Sequence, residues 1–503
     1  MGYDIKIDYG DKCCLTIVAY LRVAFFRYIR QKSQGDKMES TNKKALKSGL
    51  WYTVSNFFVR SIGFLTTPIF TRLLTHSEYG AYNNYTSWLA IITIFVTLNL
   101  ESTLISARFD YKDKFDEYIL SVLALSCLSA FSWFILLNIF SNQTESFLGL
   151  ERTYINAMLL YLMFLPAINL FQARERYYYE YKKTVITSLI LAVGTAFISV
   201  LLVITMDDKL TGRIIGSVIP TVIIGLIFYL YFIRKGKKIK IEYWRYALPI
   251  CLPYIPHLLS MTLLNSTDRI MIKHWCGDEA TALYSLAYNC GTLVTMFLTS
   301  LNSAFSPWLG EKLSEKKYSE VREFSKKYIC AFLFLAIGVM IIAPEILLIL
   351  GGKSYLEAIY VMAPVSMGCI CQFLYTLFVN VEQFKKKTIG MAIASAIAAS
   401  VNLLLNWIFI PRYGYLAAAY TTLVGYLHLL CIHMFLVYRL KLSIVYSYRF
   451  VACSFVGAFV TMIIITMSYN NVIIHCIAIT LYCILALCLI LKNKSKINRF
   501  LKR

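Results

Sequence analysis

Residues Leu252–Asn289 read LPYIPHLLSMTLLNSTDRIMIKHWCGDEATALYSLAYN, and how this stretch is read decides the fold. It opens as a long apolar segment, broken early by Pro253 and Pro256, with His257 beside the second break. Asn265, Asp268 and Arg269 follow, then a short polar turn from Cys276 to Ala280, and a second apolar segment starts at once. Polar and charged groups inside a run of membrane length are costly, so each needs a cavity, a partner or a function.

The chain on either side has the same character. Of its 503 residues 58% are hydrophobic and the mean hydropathy is +0.61, whereas soluble domains sit near roughly 45–50% apolar. A bilayer core takes about 20 apolar residues per helix, and stretches of that length recur from Leu50 onward. They predict an all-α membrane protein of about fourteen transmembrane helices, at roughly 48–73, 82–107, 117–141, 154–173, 184–206, 212–233, 246–273, 279–305, 328–351, 356–381, 388–410, 414–438, 447–468 and 472–491.

A net charge of +22 is compatible with nucleic-acid binding, but its distribution argues against that partner. Of the 50 Lys and Arg, 41 fall in alternate segments between apolar runs, the pattern of cytoplasmic loops. Both termini are therefore expected in the cytoplasm, with membrane lipid as the surrounding partner. The fourteen Cys show no metal-ligand spacing and read as small apolar helix residues. No metal or cofactor is expected. There is no G-x-x-x-x-G-K-[ST] loop, so nucleotide hydrolysis is not built in.

The chain divides into four parts. Residues 1–43 form a basic N-terminal segment, in which Leu15–Ile29 is too short to span and is interrupted by Arg22 and Arg27. A translation start at Met38 is preferred over Met1. Residues 44–240 and 241–440 then read as two six-helix bundles, and 441–503 as two further helices with a basic tail. Internal repetition supports the middle division. Lys182-Lys183-Thr184 opens a span ending before Gly212-Arg213-Ile214-Ile215-Gly216, and Lys386-Lys387-Thr388 opens one ending before Gly414-Tyr415-Leu416-Ala417-Ala418. TRLLTHSEYGAYN (Thr71–Asn83) likewise echoes DRIMIKHWCGDEATALYSLAYN (Asp268–Asn289). Six spans separate the copies, so the halves run parallel, related by a pseudo-two-fold along the membrane normal.

Four fragments, in order, carry a family resemblance. Arg60–Phe64 (RSIGF) followed by Thr71–Asn83, then LPYIPH…STDRIMI…ALYSLAYN, then Ala343–Gly352 (APEILLILGG), then Val401–Tyr426 resemble polysaccharide transporters of the multidrug/oligosaccharidyl-lipid/polysaccharide exporter superfamily. The likeness runs from about Lys43 to Leu440. It implies a MATE-like fold and a Wzx-type flippase of O-antigen, capsule or related repeat units. Such proteins carry undecaprenyl-pyrophosphate-linked oligosaccharide across the bacterial cytoplasmic membrane, from the cytoplasmic to the periplasmic leaflet, and are not enzymes.

That cargo calls for cations and hydrogen-bonding groups inside the membrane. Arginine suits a pyrophosphate because its planar fork stays charged and bonds two oxygens at once. Arg60 lies near the middle of the first span, where a charge costs roughly 2.5–3.5 kcal/mol on insertion scales, and pairing with Glu101 is the structural alternative. Arg72 occupies the repeat position of Arg269, which suggests a cationic rim; interfacial snorkelling is the alternative. Asn265 is expected to bind the cargo, and Asn402 and Asn406, one helical turn apart, to contact either sugar hydroxyls or a neighbouring helix. Glu101, Asp268 and His257 are the candidates for coupling to H+ or Na+, with Glu101 first because it is deepest. Asp268 and Arg269 are adjacent and point about 100° apart on a helix, so they serve different surroundings. Glu382, next to Lys385–Lys387, reads as a solvated ion pair.

Two other functions compete. A multidrug or cation exporter of the same superfamily predicts an acidic cavity, and the deep charge here is Arg60. A membrane-embedded polysaccharide polymerase or ligase predicts one large outer loop with clustered polar residues, which the spacing of the spans does not leave room for.

Overall fold

The computed structural model describes residue 55 and residues 58–178, 180–385 and 387–492. The 1–43 segment, the choice between Met1 and Met38, and the tail beyond 492 lie outside the described residues. Among the described residues the regular structure is entirely helical, as a lipid environment requires when every backbone N–H and C=O must be satisfied within its own segment.

The long helices, in chain order, are α1 (58–73), α2 (His76–Thr97), α3 (Phe115–Ile139), α4 (Arg152–Tyr177), α5 (Tyr181–Thr205), α6 (Lys209–Gly236) and α7 (Ile255–Gly291). They continue with α8 (Val294–Ser314), α9 (Tyr318–Ile341), α10 (Ile359–Phe384), α11 (Thr388–Tyr413), α12 (Tyr415–Arg439), α13 (Tyr448–Ser468) and α14 (Val472–Lys492). Among the described residues ten helical stretches are long and apolar enough to cross a membrane, or eleven if His76–Thr97 and Leu100–Asp110 count as one bent span. One of the ten is the 73-residue run Glu242–Ser314, so the number of crossings depends on how its breaks are read.

Three features of the expected spans matter. The expected polar turn at 276–280 is a sharp reversal made by a single non-helical residue, Gly277, at φ 86°, and the two arms of α7 lie against each other, as the Arg269–Asn289 and Tyr284–Asp268 hydrogen bonds require. Only glycine adopts that conformation without strain, and Lys273 Nζ closes the break with contacts of 2.5 and 2.6 Å to the Asp278 carboxylate. The expected second span is also broken. Leu98 and Asn99 both take left-handed conformations, and the segments on either side bend by 49°. Between the halves lies a short helix, Glu242–Cys251, packed on the start of α3. Trp244 Nε1 donates to the Ser121 carbonyl at 2.7 Å, and Tyr243 OH to Glu117 at 3.0 Å.

Helices α3–α6 pack among themselves, as do α7–α12, and α13–α14 lie against α9 and α10. Helix α2 packs on α3, α4 and α6, and its principal contact, with α7, joins that set to the second. This contact lies at the end of the molecule opposite the loops rich in Lys and Arg, hereafter the far end and the basic end. Thr75 caps α2 there: its Oγ1 accepts from Glu78 N at 3.2 Å while Glu78 Oε2 accepts from Thr75 N at 2.7 Å.

At this crossing Gly80 approaches so closely that a Cβ would sit 1.8 Å from the Asp278 carbonyl oxygen. A backbone atom cannot rotate away, so Gly80→Ala forces α2 and α7 apart. The expected cost is about 1–3 kcal/mol, read as a lowered midpoint of thermal unfolding in detergent. An unchanged midpoint would show that the crossing is not close.

Candidate functional site

The site is built on α7. Asn265 and Arg269 are one turn apart and share a face, and both line a cavity of about 400 Å³. Arg60 of α1 lines the same cavity. So do Thr292, Thr295 and Thr299, which precede or lie on α8, and Gln372 of α10 and Tyr426 of α12 complete its polar wall. Among the described residues no carboxylate lines it.

Arg269 is held in place from two sides. Its Nη1 donates to the Asn265 carbonyl and its Nη2 to Asn289 Oδ1, each at 3.2 Å, and its guanidinium carbon lies 4.7 Å from the centre of the Tyr288 ring. Nε is buried and has no hydrogen-bond partner. Asn265 is fixed in turn by Tyr426, whose OH donates to its Oδ1 at 2.7 Å. The arginine is therefore oriented, with donor capacity to spare. Arg60 is exposed to the cavity.

Asp268 turns away from the cavity and is 1% exposed. Its Oδ2 accepts from Tyr284 OH and Thr422 Oγ1, and its Oδ1 from Asn406 Nδ2, each at 2.6 Å. Asn406 Nδ2 also reaches Asn402 Oδ1 at 3.3 Å, its Oδ1 accepts from Thr421, and Asn402 Nδ2 donates to Thr422 Oγ1 at 3.3 Å. Among the described residues Asp268 forms no ion pair. A lone buried carboxylate surrounded by neutral oxygens and amides suits a small hard cation or a proton. Thr422 contributes to both places, touching Asp268 and lining the cavity.

Several expected site residues lie elsewhere. Asn402 and Asn406 are each 0% exposed and serve Asp268 rather than the cavity wall, because the face of α11 that carries them packs on α7 and α12. Arg72 is at the far end, where Nη1 donates to the Pro68 carbonyl and Nη2 to the Ile349 carbonyl. Glu101 accepts from Asn169 Nδ2 at 3.4 Å and forms no ion pair with Arg60. His257 sits about 16 Å along α7 from Asp268, at 1.5 Å rise per residue. Glu382, expected to be solvated beside Lys385–Lys387, is 1% exposed and bonded to His433 at 2.8 Å.

The far end is closed by contacts between the α1–α2 turn and the segment joining α9 to α10. Thr71 Oγ1 donates to the Leu350 carbonyl at 2.5 Å, His76 Nε2 lies 3.0 Å from Ser354 Oγ, and the His76 ring packs on Tyr355. Tyr284, Tyr288, Phe70, Tyr79 and Leu347 belong to one buried core that runs across this closure. Reading the sequence missed Tyr288, Asn289, Gln372 and Tyr426. One signal was present: Thr292, Thr295 and Thr299 recur at helical spacing within an apolar run.

Comparison with known proteins places this geometry in a family. The model of the family described as "Polysaccharide biosynthesis protein" matches residues 45–313, and the MatE model matches 253–408. The chain is 23% identical over 360 residues to "Lsg locus putative protein 1" of Haemophilus influenzae, covering 67% of this chain and 84% of that one. It is 22% identical over 397 residues to "Capsular polysaccharide biosynthesis protein CapF" of Staphylococcus aureus, covering 74% and 94%. Its fold is similar to the solved structure "Lipid II flippase MurJ, inward closed conformation", with a TM-score of 0.61 at 14% identity, covering 89% of this chain and 100% of that one. The family match spans more than half of the chain, so this multi-pass membrane protein belongs to the polysaccharide biosynthesis protein family, with the fold of the multidrug/oligosaccharidyl-lipid/polysaccharide exporters.

Proposed function

We propose that this protein is a flippase for undecaprenyl-pyrophosphate-linked oligosaccharide in the bacterial cytoplasmic membrane, taking it from the basic, cytoplasmic end to the far, periplasmic end. The observation that carries this reading is the cavity wall: two arginines, hydroxyls and amides, with no carboxylate. A pyrophosphate needs fixed donors that keep their charge, and sugars need hydroxyl and amide partners. A cationic drug would need the opposite polarity, which tells against the exporter alternative.

With the far end held by Thr71, His76 and the α2–α7 crossing, loading is from the basic end. Release requires that closure to part, so cargo crosses by alternating access. Asp268 is our candidate for coupling, in preference to Glu101, because its surroundings offer several oxygens and, among the described residues, it forms no ion pair. Thr422 and the neighbouring Tyr284–Tyr288 ring contact (5.6 Å) link it to the arginine-bearing wall.

The test is accumulation. Cells lacking the protein should gather lipid-linked oligosaccharide in the cytoplasmic leaflet, and the restored gene should clear it. Clearance that proceeds equally without the protein would overturn the assignment. A narrower prediction concerns the closure. Thr71→Val removes the bond to Leu350 and leaves that carbonyl unpaired, at about 1–3 kcal/mol. Labelling of cavity residues from the periplasmic face should then rise by about tenfold or more, and unchanged labelling would show that the bond does not hold the far end.

A further inference from the structure

Glu382 and His433 form a buried ionisable pair that the reading above does not use. Glu382 lies near the basic end of α10 and His433 on α12, with His433 Nδ1 2.8 Å from Glu382 Oε1. The side chains are 1% and 3% exposed. The second carboxylate oxygen, Oε2, is buried and has no hydrogen-bond partner among the described residues. The Tyr375 ring lies over the imidazole with centroids 5.5 Å apart. Along α12, His433 is about 16 Å from Thr422 at 1.5 Å rise per residue, so the pair is separate from the Asp268 cluster.

Among the described residues no ion pair other than their own reaches either side chain. Lys385 and Lys387 follow Glu382 in the chain but are exposed, as are Arg439 on α12 and Arg449 on α13. On α9 Lys326 pairs with Glu323. Tyr446 and Tyr448 give their hydroxyls to the carbonyls of Leu377 and Met434, and the buried hydroxyl of Tyr328 on α9 has no hydrogen-bond partner among the described residues. The rest of the packing is apolar, with Phe378, Val381, Leu429, Leu430 and Val437 buried around the pair.

Apolar residues of similar volume usually fill such a place at least as stably as an ion pair does. An ionisable group inside a membrane span is by default a functional one. With one proton between them, imidazole and carboxylate are together neutral. Without it they leave a net negative charge that the packed elements do not balance. The proton can therefore depart only when water reaches the pair, which means separation of α10 from α12 at the basic end.

We propose that Glu382 and His433 form a proton-binding site whose occupancy is tied to the separation of α10 and α12 at the basic end. On release the proton passes from the imidazolium to water, leaving a neutral imidazole and a solvated carboxylate. The site gives the second half of the protein a proton-linked motion distinct from cation binding at Asp268. It does not depend on the identity of the cargo.

Hydrogen–deuterium exchange of the full-length protein in liposomes, without cargo, tests it. Exchange of the peptides covering 378–385 and 429–437, corrected for the chemical exchange rate, should rise with pH, by up to about tenfold per pH unit, the slope for one linked proton. Glu382→Gln should abolish that slope while the exchange of α3–α6 stays as in the wild type. A flat profile in the wild type overturns the proposal whether or not the variant folds. A slope that persists in Glu382→Gln overturns it by assigning the proton to another group. Because no cargo is present, either result leaves the flippase reading standing, and a failure of that reading leaves this result intact.

Discussion

Arg269→Ala is expected to leave the protein inserted and abundant while removing transport of lipid-linked oligosaccharide. Arg269 makes its contacts to one carbonyl, one amide oxygen and the Tyr288 ring, and none to a carboxylate. Truncation therefore breaks no direct ion pair, and the fold should tolerate it. A charge-assisted hydrogen bond contributes about 1.5–3 kcal/mol, so losing the guanidinium should lower flipping by roughly ten- to more than hundredfold at about 1.4 kcal/mol per tenfold. Arg60→Ala should give a loss of similar size. Lysine at either position should restore only part, because a point charge does not reproduce a fork. Movement of labelled lipid-linked oligosaccharide across inverted membrane vesicles measures this directly. Full activity in both alanine variants would remove the arginines from the cargo site and, with them, the main support for a pyrophosphate substrate.

The second large effect is at Asp268. Asp268→Asn keeps the size and most hydrogen-bonding partners of the side chain but removes its charge. The expected outcome is a folded protein whose flipping no longer responds to an imposed Na+ or proton gradient. Asp268→Ala should instead destabilise, because it leaves Tyr284, Thr422 and Asn406 unpaired in a buried place, at about 1–3 kcal/mol for each group. The difference between the two variants separates coupling from scaffolding. If the carboxylate only organises α7, α11 and α12, the asparagine variant should work as well as the wild type. Thermal unfolding adds a readout free of cargo. If Na+ is the ion, sodium should raise the wild-type midpoint by mass action and leave Asp268→Asn unmoved. Indifference of the wild type to sodium would leave the proton as the coupling ion.

Both predictions depend on residues that a reader of the sequence could single out. Arg60, Asn265 and Arg269 stand out because charge and amide groups are rare in apolar runs, and all three line the cavity. Asn402 and Asn406 stand out for the same reason, yet Asn406 binds a carboxylate 138 residues away and Asn402 supports it through Asn406 and Thr422. Nothing in the spacing of α11 shows which way its polar face is turned. Glu382 and His433, 51 residues apart, show the same limit. Each looks ordinary beside its own neighbours, and only the packing of α10 on α12 joins them. The break at Leu98–Asn99 has no glycine or proline to announce it, so the second span reads as continuous.

The sequence by itself determined the class of the protein: apolar runs of bilayer length, basic segments at alternate turns, and fragments resembling the polysaccharide transporters. These follow from local quantities, since the hydrocarbon thickness sets span length and charge does not cross it freely. The tertiary structure decided which polar residues face the cavity, which surround Asp268 and which are sealed in the Glu382–His433 pair. Those assignments depend on the rotation of each helix about its axis. Rotation is set by side chains packing across helices distant in sequence, and a 100° step per residue puts Asp268 and its neighbour Arg269 into different chemistry.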